Sequence, residues 1–353
     1  MNTEYIELDA ISEEERDQVM ERAGQIIRSG GLVAFPTETV YGLGANGLDG
    51  DACARIYEAK GRPSDNPLIL HIVDMVQVDE IAREVSEDAV KIMQAFWPGP
   101  LTIILKKRAC VPDRTTGGLD TVAIRMPSHV DAREFIRKSG RPIAAPSANT
   151  SGKPSPTLAQ HVYEDMNGKI PMILDGGAVD IGIESTIVDM TGHIPVILRP
   201  GYISKEDIEG VVGRAEIDPA IAGRTMKKDI VAKAPGMKYR HYAPKGQMVL
   251  LEGETVKVTQ KILELAAQKQ AEGYRVGIIG TDETMSSYPP EISKSIGSRE
   301  HTQTVAANLY RVLRDMDDAG AEYIFSESFF GERMGDAIMN RMLKAAGYRV
   351  LTV

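Results

Sequence analysis

Short apolar runs that end in proline- or glycine-containing loops constrain this chain more than any other feature of its sequence. Runs of this length are typical of strands, and segments with helical periodicity lie between several of them. In order they are GLVAFPT, PLILHIV (67–73), LTIILKK (101–107), TVAIRMP (121–127) and RPIAAPSAN (141–149), then MILDGG, STIVDM and PVILRPG between about 172 and 201. So many strands with interspersed helices predict an α/β fold with a large, twisted mixed sheet.

The sequence after residue 246 has a more regular pattern. The apolar runs GQMVLLEG, YRVGIIGTDE, AEYIFSES and YRVLTV alternate with helical segments at about 254–272, 302–319 and 335–346. This alternation predicts a small three-layer, Rossmann-like α/β domain with a parallel sheet. Strand and helix patterns fade before it, so we predict an N-terminal domain over 1–210, an interdomain linker over 211–246 and a C-terminal domain over 247–353.

Charge is unevenly distributed along the chain. Its 41 basic and 50 acidic residues give a formal net charge of −9, which disfavours an extended nucleic-acid-binding surface. The predicted linker is nevertheless basic, with seven basic residues and one acidic residue, Asp229, between 223 and 245. The basic residues are Arg224, Lys227, Lys228, Lys233, Lys238, Arg240 and Lys245. The charge therefore remains compatible with a compact polyanion such as a triphosphate.

Several classes of protein are disfavoured by the composition. The two cysteines, Cys53 and Cys110, cannot build a disulfide framework or a four-thiolate zinc site, and no HExxH or CxxC pattern occurs. No run approaches the roughly 18–20 apolar residues of a membrane span, and the first residues, MNTEYIELDAISEEERD, are acidic. We therefore expect a cytoplasmic protein without a membrane partner.

Familiar nucleotide-binding motifs are weak or missing in the sequence. GLGANG (42–47) has the spelling GxGxxG, but PTETVY separates it from the strand before it, which favours a glycine-rich turn over a dinucleotide site. No Walker A, GxSxG or protein-kinase motif occurs. ATP would have to be bound by another arrangement of residues.

Two polar loops carry residue types that bind phosphate. The triplet KGR (60–62) follows a helix and places two cations on one tight loop. Arginine grips two phosphate oxygens and lysine acts as a movable point charge, although a solvated helix cap is the alternative interpretation. In PSANTSGKPSP (146–156), Ser147 and Asn149 face the same side if the chain is extended, but they are also ordinary turn residues.

Single polar residues on the predicted strands each allow two interpretations. Arg125 interrupts an apolar strand, either as an edge residue or as a carboxylate clamp, and Arg199 ends a strand before a Pro-Gly turn. Ser185 and Thr186 begin a strand, where a hydroxyl group is either a ligand donor or an ordinary strand residue. His71 ends a strand, and a lone histidine in that position is more often structural than catalytic.

The order of these segments is more specific than any one of them. PTETVYGLG, KGRPSDNPLILHI, AIRMP, PSAN-SG, ESTIVD and LRPG follow one another, and over roughly residues 20–205 the chain resembles the YrdC-type threonylcarbamoyl-AMP synthases. PGMKYRHYAP and the C-terminal α/β domain are similar to the long, two-domain form of that family, with a looser match in the C-terminal domain. The resemblance implies a YrdC-like fold for the N-terminal domain.

The resemblance also implies a nucleotidyltransferase reaction, in which L-threonine, bicarbonate and ATP give L-threonylcarbamoyladenylate and pyrophosphate. A separate tRNA threonylcarbamoyltransferase would then modify the adenosine beside the anticodon. Such a reaction builds charge on phosphoryl oxygens, so cations and Mg²⁺ are the expected catalysts. Mg²⁺ would enter on the ATP phosphates, with no protein ligand assigned.

The resemblance implies roles for individual residues of this sequence. Lys60, Arg62, Ser147 and Asn149 are implied to be catalytic. The residues implied to bind ATP are Lys60, Arg62, Ser64, Thr121, Ser147, Asn149, Ser155 and Arg199, with Tyr239 and Tyr242 of the linker closing over the nucleotide. The residues implied to bind threonine are Thr37, His71, Arg125, Ala145 through its backbone, and Ser185.

Two other functions remain open from the sequence. The KGR loop and the basic linker are compatible with a protein that binds tRNA or double-stranded RNA by shape without turnover. Against this, the net charge is −9, and no strand interleaves basic with aromatic residues. A carbamoyl transferase that uses carbamoyl phosphate is the other alternative, although no acylphosphatase-like or zinc-finger segment accompanies the chain. Weak binding of RNA is also predicted for the synthase itself.

Overall fold

The computed structural model describes residues 2–222, 234–235, 241–329 and 334–353, which form two sheets with flanking helices. The first sheet contains, within these residues, β1 (Glu4–Glu7), β2 (Val33–Phe35), β3 (Gly42–Asn46), β4 (Ile69–His71), β5 (Ala82–Arg83), β6 (Leu101–Lys107), β7 (Thr121–Arg125), β8 (Ile143–Ala145), β9 (Met172–Asp175), β10 (Thr186–Asp189), β11 (Val196–Arg199) and β12 (Glu216–Ile217). Its helices are α1 (Glu13–Arg28), α2 (Gly50–Lys60), α3 (Val76–Ile81), α4 (Glu87–Phe96), α5 (Asp113–Thr116), α6 (Val130–Ser139), α7 (Ala159–Met166), α8 (Lys205–Val212) and α9 (Pro219–Ala222). The predicted mixed α/β sheet is confirmed.

The centre of the first sheet brings the polar strand residues together. Its order is β1-β9-β2-β3-β8-β4-β7-β6-β10-β11-β12, with β5 paired to β6. β4 is parallel to β7 and antiparallel to β8, so His71 is the register partner of both Arg125 and Ile143. The three residues of β4, like those of β2 and β8, are all buried, which explains why these strands appear in the sequence as unbroken apolar runs.

The glycine-rich turn predicted at 42–47 is wrong. Gly42–Asn46 is β3, a central strand that pairs antiparallel with β2 and β8. A Cβ atom on Gly42 would lie 3.0 Å from the ring of Phe35, and one on Gly44 would lie 2.9 Å from Cγ2 of Ile143. The glycines therefore allow neighbouring side chains to pack closely against a strand rather than forming a phosphate loop.

The second sheet is parallel in all its described pairs, as predicted. It contains β13 (Gln247–Glu252), β14 (Val276–Gly280), β15 (Ser293–Ser295), β16 (Tyr323–Glu327) and β17 (Val350–Thr352), in the order β15-β14-β16-β13-β17. Its helices are α10 (Thr255–Ala271), α11 (Thr302–Asp318) and α12 (Met334–Ala345). One apolar cluster joins the sheet to α10 and another joins it to α11 and α12, which gives the predicted three layers.

The structure divides the chain differently from the predicted boundary at residue 210. α8 continues to Val212, and β12 pairs with β11, so the N-terminal fold extends to at least Ile217. Of the seven basic residues in the predicted linker, Lys245 lies within the described residues and the other six lie outside them. No helix in the described part of the chain is long and apolar enough to cross a membrane.

The two domains share an apolar contact beside the loops of the first sheet. Val40 and Ile183 belong to the same buried cluster as Tyr242 and side chains of α11 and α12. Gly182, at φ +81°, packs so closely on α11 that a Cβ atom there would lie 2.4 Å from Cα of Ala307. The C-terminal domain therefore rests on two loops, 37–41 and 181–185, that also carry predicted site residues.

Candidate active site

A pocket lies between the central strands, the loops beside them, and Pro235, His241 and Tyr242. Nine residues with roles implied by the family resemblance line it: Thr37, Arg62, His71, Arg125, Ala145, Ser147, Ser185, Arg199 and Tyr242. The fold therefore collects most of the predicted site from distant parts of the chain.

One end of the pocket is built around the buried guanidinium of Arg125, which is 4% exposed. Its Nη1 donates to Oγ1 of Thr39 at 2.9 Å, and its Nη2 lies 2.6 Å from Oε1 of Glu38. Burial raises the pKa of the Glu38 carboxyl, but the charge of Arg125 and the hydrogen bonds to the carboxylate together outweigh it, and the pKa ends below its ordinary value. Among the described residues, Nε of Arg125 has no acceptor, so this donor is available to a ligand.

The turn before β3 places hydroxyl groups beside Arg125. Oγ1 of Thr37 accepts from the backbone N–H groups of Thr39 and Val40, both at 3.2 Å, and donates to the carbonyl of Val40 at 2.7 Å. This local bonding is typical of a threonine that folds its own loop. It brings Thr37 and Thr39 to the same wall of the pocket.

His71 contributes a neutral imidazole to the same end. Burial, with Arg125 close by, lowers the pKa of His71 to about 3. Its Nδ1 lies 3.1 Å from the carbonyl of Ile69. Since a carbonyl only accepts, Nδ1 of the neutral ring donates there and Nε2 remains an acceptor. His71 therefore acts as a hydrogen-bonding group and not as a cation near neutral pH.

The other end of the pocket is cationic. Nε and Nη2 of Arg199 donate to the carbonyl and Oγ of Ser185 at 2.9 and 3.1 Å. Arg62 donates from Nη2 to the carbonyl of Pro67 at 3.3 Å, and its Nε has no acceptor among the described residues. Burial lowers the pKa of Arg62 to about 10, which still leaves it charged. Three guanidinium groups with one lining carboxylate, Glu184, favour an anionic ligand.

Lys60 lies behind the pocket rather than in its wall. Its Nζ donates to the carbonyl of Ser147 at 2.6 Å and also to that of Asn149. Oγ of Ser147 donates to Oδ1 of Asn149 at 2.5 Å. Burial, reinforced by the charge of Arg62, lowers the pKa of Lys60 well below its ordinary value. Gly61, at φ +61°, ends α2 and separates the buried lysine from the pocket-lining Arg62.

Five predicted residues that the structure describes do not line the pocket: Lys60, Ser64, Thr121, Asn149 and Ser155. Ser64 is exposed on the loop after Arg62. Thr121 begins β7 four residues before Arg125, about 13 Å along the strand at ~3.3 Å per residue. Oγ of Ser155 donates at 2.7 Å to the pocket-lining Glu184. The sixth, Tyr239, lies outside the described residues.

Sequence reasoning missed Thr39, Glu184, Pro235 and His241, all of which line the pocket. Thr39 and Glu184 stand within two residues of predicted residues in PTETV and IESTIVD, so the motifs contained the signal but not the side-chain direction. Tyr242 reaches the pocket through a left-handed backbone conformation at φ +64°, and its ring lies 5.1 Å from that of Tyr310. The sequence offered no means of predicting that conformation.

Comparison with known proteins extends the likeness over both domains. Residues 25–201 match a family model described as telomere recombination, and residues 203–347 match one described as the threonylcarbamoyl-AMP synthase C-terminal domain. A threonylcarbamoyl-AMP synthase of Pyrococcus abyssi is 51% identical over 331 residues, 94% of this chain and 95% of the relative. One from Bacillus subtilis is 48% identical over 339 residues, 95% of each chain. The crystal structure of P. abyssi Sua5 complexed with L-threonine is 49% identical, with a TM-score of 0.92 over 100% of both chains.

Fold, site and relatives together define a two-domain α/β enzyme of the nucleotidyltransferase class, with a pocket lined by three arginines where its domains meet. The chain belongs to the threonylcarbamoyl-AMP synthase family. The resemblance seen in the ordered motifs is thereby confirmed, and the likeness includes the C-terminal domain, where the motifs alone gave the weaker match.

Proposed function

We propose that this protein joins L-threonine, bicarbonate and ATP into L-threonylcarbamoyladenylate and releases pyrophosphate. The proposal rests on the observation that three arginines line the same pocket. They are Arg62, Arg199 and the buried Arg125, which has a donor available to a ligand. One guanidinium matches the carboxylate of an amino acid, and the other two match a polyphosphate. Relatives that align over nearly the whole chain carry the corresponding name.

Threonine belongs at the Arg125 end of the pocket in this proposal. Arg125 binds its carboxylate, while Thr37, Ser185 and the backbone of Ala145 provide further polar contacts. The acceptor Nε2 of neutral His71 suits a hydroxyl or an amine of the ligand. A site built to hydrogen-bond a hydroxyl rejects an amino acid without one more strongly than an apolar pocket would.

ATP belongs at the end formed by Arg62, Ser147 and Arg199, with Ser64, Thr121 and Ser155 as further proposed contacts. The threonine amine and bicarbonate first form a carbamate, whose oxygen attacks the α-phosphorus as pyrophosphate leaves. Arg62 and Arg199 stabilise the charge that builds on the phosphoryl oxygens. Lys60 and Asn149 serve this step by fixing the loop that carries Ser147.

Mg²⁺ is proposed to accompany the nucleotide. Among the described residues, no group of three or more His, Cys, Asp or Glu side chains is arranged to hold a metal ion. Phosphate oxygens are suitable Mg²⁺ ligands, and the ion bound to them would supply further charge neutralisation. The arginines of the pocket orient the same phosphates from the protein side.

The tyrosines near the domain junction are proposed to close over the nucleotide. Tyr242 lines the pocket and is 5% exposed, and Tyr239 precedes it in the sequence. A closed site excludes water from the carbamate and the mixed anhydride, both of which hydrolyse easily. A separate cytoplasmic tRNA threonylcarbamoyltransferase then receives the product. With a net charge of −9, this protein itself is expected to bind RNA only weakly.

The test is a pyrophosphate-release assay in which each reactant is omitted in turn. Release that requires threonine, bicarbonate, ATP and Mg²⁺, with threonylcarbamoyladenylate identified by mass spectrometry, is the expected result. Turnover that is unchanged without threonine would contradict the proposal. Productive use of carbamoyl phosphate would favour the carbamoyl transferase, and salt-dependent RNA binding without ATP turnover would favour the RNA-binding protein.

A further inference from the structure

We propose that Arg341 and Tyr310 of the C-terminal domain are positioning residues for the pocket in the N-terminal domain, and that they act through Glu184. The inference rests on the proposed function and deepens it, because it gives the second domain a direct part in ligand binding. The carboxylate of Glu184 lines the pocket, one residue before Ser185.

The Glu184 carboxylate is held largely from the other domain. In the described part of the chain its hydrogen-bond donors are Ser155, Tyr310 and Arg341. The Tyr310 hydroxyl lies 3.0 and 2.8 Å from the two carboxylate oxygens, and Nε of Arg341 donates to Oε2 at 3.1 Å. Tyr310 and Arg341 are both fully buried. These contacts therefore fix the carboxylate away from solvent and leave it little freedom.

The same arginine also holds the backbone on both sides of the Ser185–Arg199 contact. Nη2 of Arg341 donates to the carbonyl of Glu184 at 3.1 Å, and Nη1 donates to the carbonyl of Pro200. Glu184 directly precedes Ser185, and Pro200 directly follows Arg199. One guanidinium thus sets the spacing of two chain segments, each of which carries a proposed ligand-binding residue.

The electrostatics make this arrangement sensitive to the loss of a partner. Burial raises the pKa of Glu184, but the charges of Arg341 and Arg199, together with hydrogen bonds that include the one from Ser155, outweigh it and bring the pKa to about 2. The carboxylate is therefore ionised at neutral pH. A buried charge that loses its partner has to move toward another donor or toward water. The nearest consequence is a displacement of Ser185 and of Arg199, which is bonded to it.

A second set of the same three residue types provides an internal control. The Tyr288 hydroxyl donates to Oε1 of the fully buried Glu327 at 2.9 Å, and Nη2 of Arg299 donates to Oε2 of the same carboxylate. All three residues are described, and none of them lines the pocket. Tyr288→Phe therefore removes a matched tyrosine–glutamate hydrogen bond within the C-terminal domain alone.

The test compares Tyr310→Phe and Tyr288→Phe with the wild-type protein. We expect Tyr310→Phe to raise KM for threonine and for ATP by about tenfold or more, as expected for loss of one hydrogen bond to a charged group, with a smaller change in kcat. Tyr288→Phe should lower the melting temperature by about as much as Tyr310→Phe does, and it should leave both KM values unchanged. Arg341→Lys, which keeps the charge but cannot reach all three acceptors, should raise both KM values further.

Equal KM values for Tyr310→Phe and Tyr288→Phe would overturn the inference, because the contacts would then serve only to dock the domains. If Tyr310→Phe does not fold, Arg341→Lys decides by the same comparison. A wild-type protein that releases no threonine-dependent pyrophosphate would instead contradict the proposed function. In that case calorimetric binding of threonine to the same variants still tests the positioning, since an unchanged Kd in Tyr310→Phe would overturn it.

Discussion

Arg125 shows how a charged side chain can be buried and still available. Glu38 balances its charge and Thr39 fixes one of its amino groups, while Nε keeps no acceptor among the described residues. An arginine meets these demands because its five donors are spread over a rigid plane. A lysine has three donors on one ammonium nitrogen, so it cannot spread them over Glu38, Thr39 and a ligand carboxylate as the planar guanidinium does.

Arg125→Lys is therefore expected to raise KM for threonine by about tenfold or more, with KM for ATP nearly unchanged. Steady-state pyrophosphate release at varied threonine and at varied ATP measures both values. Arg83→Lys is the control, since Arg83 is partly exposed and pairs with Glu84 and Asp120 at the surface. A threonine KM in Arg125→Lys that equals that of Arg83→Lys would show that Arg125 does not bind the carboxylate.

Lys60 illustrates a residue whose importance the sequence indicates more readily than its role. The family resemblance implies that Lys60 of the KGR triplet binds ATP, and the structure places its Nζ on the carbonyls of Ser147 and Asn149, which are 87 and 89 residues away. Nothing in the local sequence specifies a contact of that range. The pairing of the KGR and PSAN segments is a property of the folded sheet.

Lys60→Met is expected to lower turnover by about tenfold or more, because two buried carbonyls lose their donor and the Ser147 loop is released. The measurement is kcat at saturating substrates. Lys106→Met, at a partly exposed lysine that pairs with Glu84, is the matched control. Turnover near the wild-type value in Lys60→Met would contradict a role for this lysine in holding the loop.

At the scale of elements, apolar runs in the sequence predicted strands reliably, whereas polar and glycine-rich strands could not be recognised from the sequence. LTIILKK and the three long C-terminal helices could be predicted because burial on a sheet or on one helix face imposes a visible pattern. β3 could not, since its glycines accommodate Phe35 and Ile143, which are distant in sequence. β15, with the sequence SKS, has no apolar residue to mark it. The missed site residues Thr39 and Glu184 likewise depend on which way a loop turns.

The close packing of Gly182 against α11 can be tested by substitution. Gly182→Ala should lower the free energy of unfolding by more than Gly177→Ala. Both glycines have nearly the same positive φ, +81° and +82°, so both alanine variants share the cost of a side chain in a left-handed conformation, roughly 1–2 kcal/mol. A Cβ atom at Gly182 would in addition meet Ala307 at 2.4 Å, whereas at Gly177 nothing lies within 4 Å. Urea denaturation of the two variants measures the difference, and equal values would show that α11 does not press on this loop.

On the scale of the whole molecule, buried histidines couple stability to pH. Burial lowers the pKa of His71 to about 3 and, together with Arg314 of the C-terminal domain, that of His161 to about 4, against an ordinary value of 6.5. Between about pH 4 and 6.5 the unfolded chain therefore binds more protons at these positions than the folded protein does. Stability is fully present above pH 6.5 and is lost as the pH falls, by up to about 1.4 kcal/mol per pH unit for each histidine.

Urea denaturation at pH 7 and at pH 5 is expected to show this loss, and His161→Gln should reduce it. His161 serves the test because it is 7% exposed and has no assigned part in ligand binding. The pKa values of the Glu38, Asp165 and Glu184 carboxyls are lowered in the folded protein from ordinary values of 4.5, 3.8 and 4.5. The stability they contribute is lost mainly below pH 5, because above that pH these groups are largely ionised in the unfolded chain as well. The same loss of stability in wild type and His161→Gln would show that this histidine is not held neutral.

The contact between Glu184 and Arg341 joins residues 157 positions apart, and this separation has a consequence for how the protein is made. The ribosome completes the N-terminal sheet long before it reaches α12, and domains generally fold in the order of synthesis. Until then the nascent domain carries an ionised carboxylate beside its pocket without the arginine that balances it. If that arginine positions the pocket, a newly made molecule becomes competent to bind its ligands only when translation is nearly complete.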